Sequence, residues 1–204
     1  MIGSESILYP PVIRELDAGL VQLLNHAASQ HSLAANAVSL FGSTLAYVAV
    51  AAMAVVLIVP QVFAGRARSH TVRLVIAVAL SAGLFSRFVA KEAIVAFYIR
   101  ARPFDVVNNV TPLLSHDSVA SFPSGHALFF FSAATVLFMF NRRWGLMLYL
   151  VAILMGVSRV AGAIHWPTDV AGGALLGMAI GWLAVMTVRR TILRRDGAAL
   201  NPLR

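Results

Sequence analysis

WGLMLYLVAILMGVSRVAGAIHWPTDVAGGALLGMAIGWLAVMTV, residues 144–188, decides the fold. It holds two apolar runs, roughly 144–163 and 167–188. Each meets the need of a helix for about 20 apolar residues to cross a hydrocarbon core of about 30 Å. Gly172, Gly173, Gly177 and Gly181 in the second run supply small contacts for close helix packing. Working outward, three further segments read as spans: roughly 41–64, 72–99 and 122–140. The expected fold is all-α, a bundle of five transmembrane helices. Composition agrees. Hydrophobic residues make up 59% of the 204 and charged residues only 12%, with a mean hydropathy of +0.82. A soluble domain carries about a quarter charged residues, so a cytosolic enzyme, a disordered chain and a DNA-binding module are excluded. The chain has no cysteine, which removes disulfides, thiolate catalysis and cysteine metal sites.

Residues 11–29 differ from the spans. Ile13, Leu16, Leu20, Leu23, Leu24 and Ala27 recur at helical spacing, with Arg14, Glu15 and Asp17 on other faces. This pattern predicts an amphipathic helix lying in the membrane interface. Asn25, His26, Gln30 and His31 count against a sixth span. The first 15 residues have no basic stretch followed by an apolar run, so no signal peptide is expected. The expected organisation is a tail with interfacial helix over 1–40, a membrane domain over 41–188 and a basic tail over 189–204.

The net charge of +8 has a topological explanation. Five spans put 65–71, the 141–143 turn and the C-terminal tail on one side. Together with Arg73 these regions hold Arg66, Arg68, Arg142, Arg143, Arg189, Arg190, Arg194, Arg195 and Arg204, against one acid, Asp196. Lys and Arg favour the cytoplasm, so that side is expected to be cytoplasmic, in a multi-pass protein of the cell membrane. An anionic inner leaflet suffices as partner, and no nucleic acid is needed. The 100–121 and 164–166 loops then face outward.

Removing the topological arginines leaves Lys91, Arg100, Arg102, Asp105, His116, Asp117, Ser121, Ser124, His126, Ser158, Arg159, His165 and Asp169. Ionisable residues in or beside spans are costly and mark function by default. The path of the chain brings Arg102, His126, Arg159, His165 and Asp169 to one depth near the outer face. Arginine forks and the N-terminus of a helix suit an anionic, phosphate-bearing ligand. No metal cluster is visible, and Arg102 and Arg159 would repel a cation.

SFPSGH at 121–126 and SRVAGAIHWPTD at 158–169 resemble two signatures of the type 2 phosphatidic acid phosphatase family. The second has the spacing SR, five residues, H, three residues, D. The remaining signature of that family is K, six residues, RP. Here RP is Arg102-Pro103, but position 95 is valine. The RARPF string is most like the branch of bacterial undecaprenyl-diphosphate phosphatases.

The resemblance implies a metal-independent, cofactor-free phosphohydrolase with a phosphohistidine intermediate. It implies that His165 is the nucleophile, Asp169 its partner and His126 the general acid. Arg102, Arg159, Ser124 and the Gly125 N–H would hold the phosphoryl oxygens. For the missing lysine, Arg100 is favoured as the phosphate contact. Lys91 shares a face with position 95 about 6 Å deeper; it is the rival, or forms a buried ionic cluster with Arg87 and Glu92. The implied substrate is undecaprenyl diphosphate, recycled for peptidoglycan synthesis with a bearing on bacitracin resistance. Other members act on phosphatidate or phosphatidylglycerophosphate, and a non-catalytic lipid-binding or transport protein is the reading from another class.

Overall fold

The computed structural model describes residues 10–115 and 120–196, with the side chains of 60–69 and 191–196 outside that description. His116, Asp117 and Arg204, and the side chains of Arg66, Arg68, Arg194, Arg195 and Asp196, therefore lie outside the described residues. Among the described residues every regular element is helical. In chain order these are α1 (Pro11–Ser29) and α2 (Ser32–Ile58), with a π-helical turn at Leu40–Thr44. Next comes α3, made of Pro60–Phe85, a π-helical turn Ser86–Ala90 and Lys91–Val95. A short α4 (Pro103–Val106) precedes α5 (Gly125–Phe140), α6 (Arg142–Ala161) and α7 (Pro167–Asp196).

Four stretches are long and apolar enough to cross a membrane: Ser32–Ile58, His70–Val95, Arg142–Ala161 and Pro167–Arg190. The fifth, α5, has 16 residues, about 24 Å at 1.5 Å per residue. The chain is thus a multi-pass membrane bundle.

Three boundaries differ from the sequence expectation. The first span begins at Ser32 and stops at Ile58 rather than running over 41–64. Proline lacks an N–H and its ring crowds the carbonyl four residues back, but it fits the first turn of a helix. Pro60 accordingly ends α2 at Val59 and opens α3, so the expected loop at 65–71 is helical. The span expected from residue 122 becomes helical only at Gly125, after the turn that contains Pro123.

Helix α5 is the hub, packing on α7, α6 and α3. Its Phe129, Phe130, Ala133, Ala134 and Val136 form one core with Met53 of α2, Ala79 of α3, Met155 of α6 and Val185 of α7. The α5–α7 contact is the most extensive, and its cause is visible in the sequence. A methyl group added at Gly173 or Gly177 would stand 2.8 or 2.6 Å from the carbonyl oxygen of Ser124 or Leu128, and one at Gly181 would collide with that of Ser132. Glycine at every fourth residue therefore lets the two backbones touch. This contact holds the first turns of α5 and α7 level, and the Ser124 N–H donates to the Asp169 carbonyl at 3.1 Å.

Helix α1 is two-faced in an unexpected sense. Leu16, Leu20 and Leu23 are exposed, as a helix resting in lipid requires. The opposite face, Asp17, Val21, Asn25 and Ala28, is buried against the bundle. Asn25 donates to the carbonyls of Thr111 (2.7 Å) and Ala161 (2.8 Å) and accepts from Thr111 N–H (2.8 Å).

Replacing Gly177 by leucine drives a branched side chain into the α5 backbone. Unfolding in mixed micelles is expected to show a loss of about 1–3 kcal/mol, the usual cost of overpacking. Unchanged stability would mean that the glycines do not set the α5–α7 spacing.

Candidate functional site

The site forms where four segments end at one level of the bundle: residues 98–103 after α3, the start of α5, the end of α6 and the start of α7. Arg102 joins three of them. Its side chain is fully buried; Nη1 donates to the Ile164 carbonyl at 2.5 Å and Nη2 to the Ala120 carbonyl at 2.8 Å. Burial lowers its pKa, opposed by the carboxylates of Asp169 and Asp105. Backbone bonds add to the clamp, with Ser121 N–H to Arg100 O (2.8 Å) and Phe104 N–H to Ala163 O (3.2 Å).

The end of α6 delivers His165. Gly162 N–H closes on Ser158 O and Ala163 N–H on Val160 O. Ala163 then takes φ 57°, a left-handed backbone that costs a non-glycine residue about 1–2 kcal/mol. The chain turns there and re-enters the bundle at Trp166. Pro167 is the first residue of α7, so Asp169 lies in its first turn. Its carboxylate reaches back to the helix start, where Oδ2 accepts from Trp166 N–H at 2.9 Å, an arrangement that satisfies an otherwise orphaned donor.

His165 is buried, and its Nδ1 faces Asp169 Oδ2 at 3.5 Å. The imidazole pKa is pushed down from 6.5 to about 4. Burial is the largest cause; Asp169 opposes it, and the charges of Arg102 and Arg159 add to it. The ring is therefore neutral at neutral pH. In the tautomer that carries its proton on Nδ1, toward Asp169, a neutral imidazole has its lone pair on the other ring nitrogen, the atom that could act as a nucleophile.

Across the site, Arg159 Nη2 lies 2.5 and 2.7 Å from Nδ1 and Nε2 of His126, and the buried Nε of Arg159 has no partner among the described residues. Ser124, which precedes α5, is fully buried and its Oγ likewise has no partner among the described residues. Lys91 is buried and within electrostatic reach of Arg87, Glu92, Arg102 and Arg159. A methyl group at Gly125 would collide with Arg87 Nη1 and lie 3.4 Å from Lys91 Cδ. Both cations thus lie against the first residue of α5. Among the described residues, neither Lys91 nor Arg159 has a carboxylate within 4 Å. No group of three or more metal-ligating side chains occurs among the described residues.

His126, His165, Asp169, Arg102, Arg159, Ser124, Gly125 and Lys91 therefore share one cluster. Arg100 belongs to it from a different side. Its Nη1 donates to Asp169 Oδ1 at 2.6 Å and Thr168 Oγ1 at 2.8 Å, and its Nη2 to Asp17 Oδ2 at 2.9 Å, with the guanidinium over the Trp166 ring at 5.0 Å. Both terminal nitrogens thus bond carboxylates. Asp105 is exposed. Sequence reasoning missed Asp17 and the approach of Arg87 to Gly125. A signal for Asp17 exists: it shares a helical face with Val21, Leu24 and Asn25, at the edge of the stripe of Leu16, Leu20 and Leu23.

Likeness to one protein family and to three known proteins bears on this site. The PAP2 superfamily profile matches residues 70–192. An undecaprenyl-diphosphatase of Sulfolobus acidocaldarius is 39% identical over 94 residues, 45% of this chain and 46% of that protein. Undecaprenyl-diphosphatase BcrC of Bacillus subtilis is 29% identical over 158 residues, 78% and 77% of the two chains. The chain spans under half the length of the relatives it matches at 39–40% identity. Among solved structures, Aquifex aeolicus LpxE superimposes with a TM-score of 0.67 at 25% identity, over 84% of this chain and 95% of that one.

The low pKa of His165 has a measurable sign. Its imidazole is expected to keep the nitrogen-15 shifts of a neutral ring at pH 5.5, and a protonated ring there would refute the burial argument. Between pH 6.5 and about 4 the unfolded chain takes up a proton that the folded site refuses. Stability present above that window is therefore lost as pH falls through it.

Proposed function

The chain belongs to the PAP2 superfamily, and we propose that it is a membrane lipid phosphatase that converts undecaprenyl diphosphate to undecaprenyl phosphate and phosphate. The observation that carries this reading is the gathering of Lys91 and Arg159, neither with a carboxylate within 4 Å among the described residues, in one cluster with the neutral imidazole of His165. Buried cations are stable only with an anion or a hydrogen-bonded partner. A phosphoryl group supplies that anion, and its transfer depends mostly on positioning and charge stabilisation. The undecaprenyl-diphosphatase relatives favour a diphosphate on a polyprenyl chain.

In the first step the His165 ring nitrogen remote from Asp169 attacks the terminal phosphorus. A P–N bond forms as the bridging P–O bond breaks, and the electron pair leaves with undecaprenyl phosphate. His126 donates the proton that the leaving oxygen takes up. Asp169 balances the positive charge that grows on the imidazole. In the second step water attacks phosphorus, His126 removes its proton, the P–N bond breaks and phosphate departs. Arg102, Arg159, Lys91, the Ser124 hydroxyl and the Gly125 N–H hold the phosphoryl oxygens throughout. The chemistry lies on the outer face of the cell membrane, with the arginine-rich ends of α6 and α7 in the cytoplasm.

The decisive experiment measures phosphate release by purified protein from undecaprenyl diphosphate, phosphatidate and phosphatidylglycerophosphate, for wild type and His165→Ala. Undecaprenyl diphosphate is expected to be the best substrate. The His165→Ala variant should be inactive, and Arg159→Ala should lose about 10²–10³ in rate. Activity should survive EDTA. Full activity in His165→Ala, or an absolute need for Mg²⁺, would overturn the mechanism. A preference for a glycerolipid would move the substrate within the family.

Orientation has its own test, because the chain lacks cysteine. Single cysteines at Asp105 and Arg142 are expected to react with an impermeant thiol reagent from opposite sides of the membrane. Labelling of both from one side would overturn the assignment.

A further inference from the structure

Asp17 is almost fully buried although it lies on a helix whose leucines are exposed. Its Oδ1 accepts from Thr168 N–H at 3.2 Å. Its Oδ2 accepts from Arg100 Nη2 at 2.9 Å and from the Thr168 hydroxyl. An acid from α1 therefore caps the first turn of α7, where helix N–H groups and the dipole favour a negative charge. The same guanidinium binds Asp169 Oδ1 at 2.6 Å, and the other oxygen of Asp169 faces His165.

The charge arithmetic of these three residues is simple. Asp17, Arg100 and Asp169 together carry one net negative charge. Without Asp17 they carry none, and the charge of Asp169 is neutralised by Arg100 at hydrogen-bond distance. In a buried site that difference reaches the imidazole with little screening. From this arrangement we propose that Asp17 is a positioning residue for the reaction: by occupying Arg100, it keeps the charge of Asp169 for the imidazolium that forms on His165. Arg100 is then the shared bridge between two carboxylates rather than a phosphate ligand. This inference rests on the phosphatase reading above and adds the N-terminal helix to its machinery. Asp17 touches no reacting atom. Its effect passes through Arg100 and Asp169, so it belongs to turnover and not to substrate affinity.

The test uses the full chain in lipid micelles, with undecaprenyl diphosphate as substrate and kcat and KM measured separately. Asp17→Asn is expected to lower kcat about 10–100-fold, the usual cost of losing an outer partner of a reacting group, with little change in KM. Removing both charges, in Asp17→Asn with Arg100→Gln, should restore part of the lost kcat, because nothing then competes for Asp169. A purely structural role would make the double variant at least as poor as the single one. Glu15→Gln, an exposed acid two residues away, should behave as wild type. If Asp17→Asn is not recovered folded, Asp17→Glu keeps the charge and should retain most of kcat; a folded Asp17→Glu protein with no activity overturns the proposal. Wild-type kcat in Asp17→Asn, or a double variant no better than the single, also overturns it. Activity in His165→Ala would instead overturn the phosphatase reading itself, so the two failures are distinguishable.

Discussion

A guanidinium with no exposure to solvent holds this site together. Arg102 spends its donors on the Ile164 and Ala120 carbonyls, tying the ends of segments that α3, α5, α6 and α7 bring from different parts of the chain. Buried carbonyls at chain turns need donors, and a buried guanidinium needs acceptors. Each solves the other's problem, and the residual positive charge stays inside the cluster. The loop that carries His165 can therefore be short and still fixed, even with Ala163 in a left-handed conformation.

The remaining cations obey a different logic. Arg100 is held by two carboxylates and Arg102 by backbone carbonyls, whereas Lys91 and Arg159 have no carboxylate within 4 Å among the described residues. Arg100 thus serves the architecture, Lys91 and Arg159 keep their charge for a ligand in the proposed reaction, and Arg102 does both. The acids sort in parallel. Asp17 and Asp169 are buried and bonded, while Asp105 sits at the surface. Burial depth and partners, rather than residue type, divide these side chains into scaffold and chemistry.

Much of this was legible in the sequence because hydrophobic length fixes spans, and spans fix which loops share a face. His126, Arg159, His165 and Asp169 all lie within a few residues of a span end, so counting crossings brings them together. The seam at Gly173, Gly177 and Gly181 was equally plain from its spacing. Other features left no such trace. The break at Val59 depends on which helix Pro60 joins, and apolar residues continue on both sides of it. The π-helical turn Ser86–Ala90 has no compositional mark. It directly precedes Lys91, whose side chain packs against Gly125. Asp17 was hidden because an amphipathic pattern names the lipid face of a helix and leaves its protein face unassigned.

The docking of α1 has a practical meaning for anyone handling this molecule. Thr168 stands 151 residues from Asp17 along the chain, yet both hold the same guanidinium. Helix α1 is therefore a neighbour of the candidate site. A detergent that lifts its leucine stripe, or a fusion that displaces Pro11–Ser29, would loosen the grip of Asp17 on Arg100, although α1 looks like a remote end of the chain.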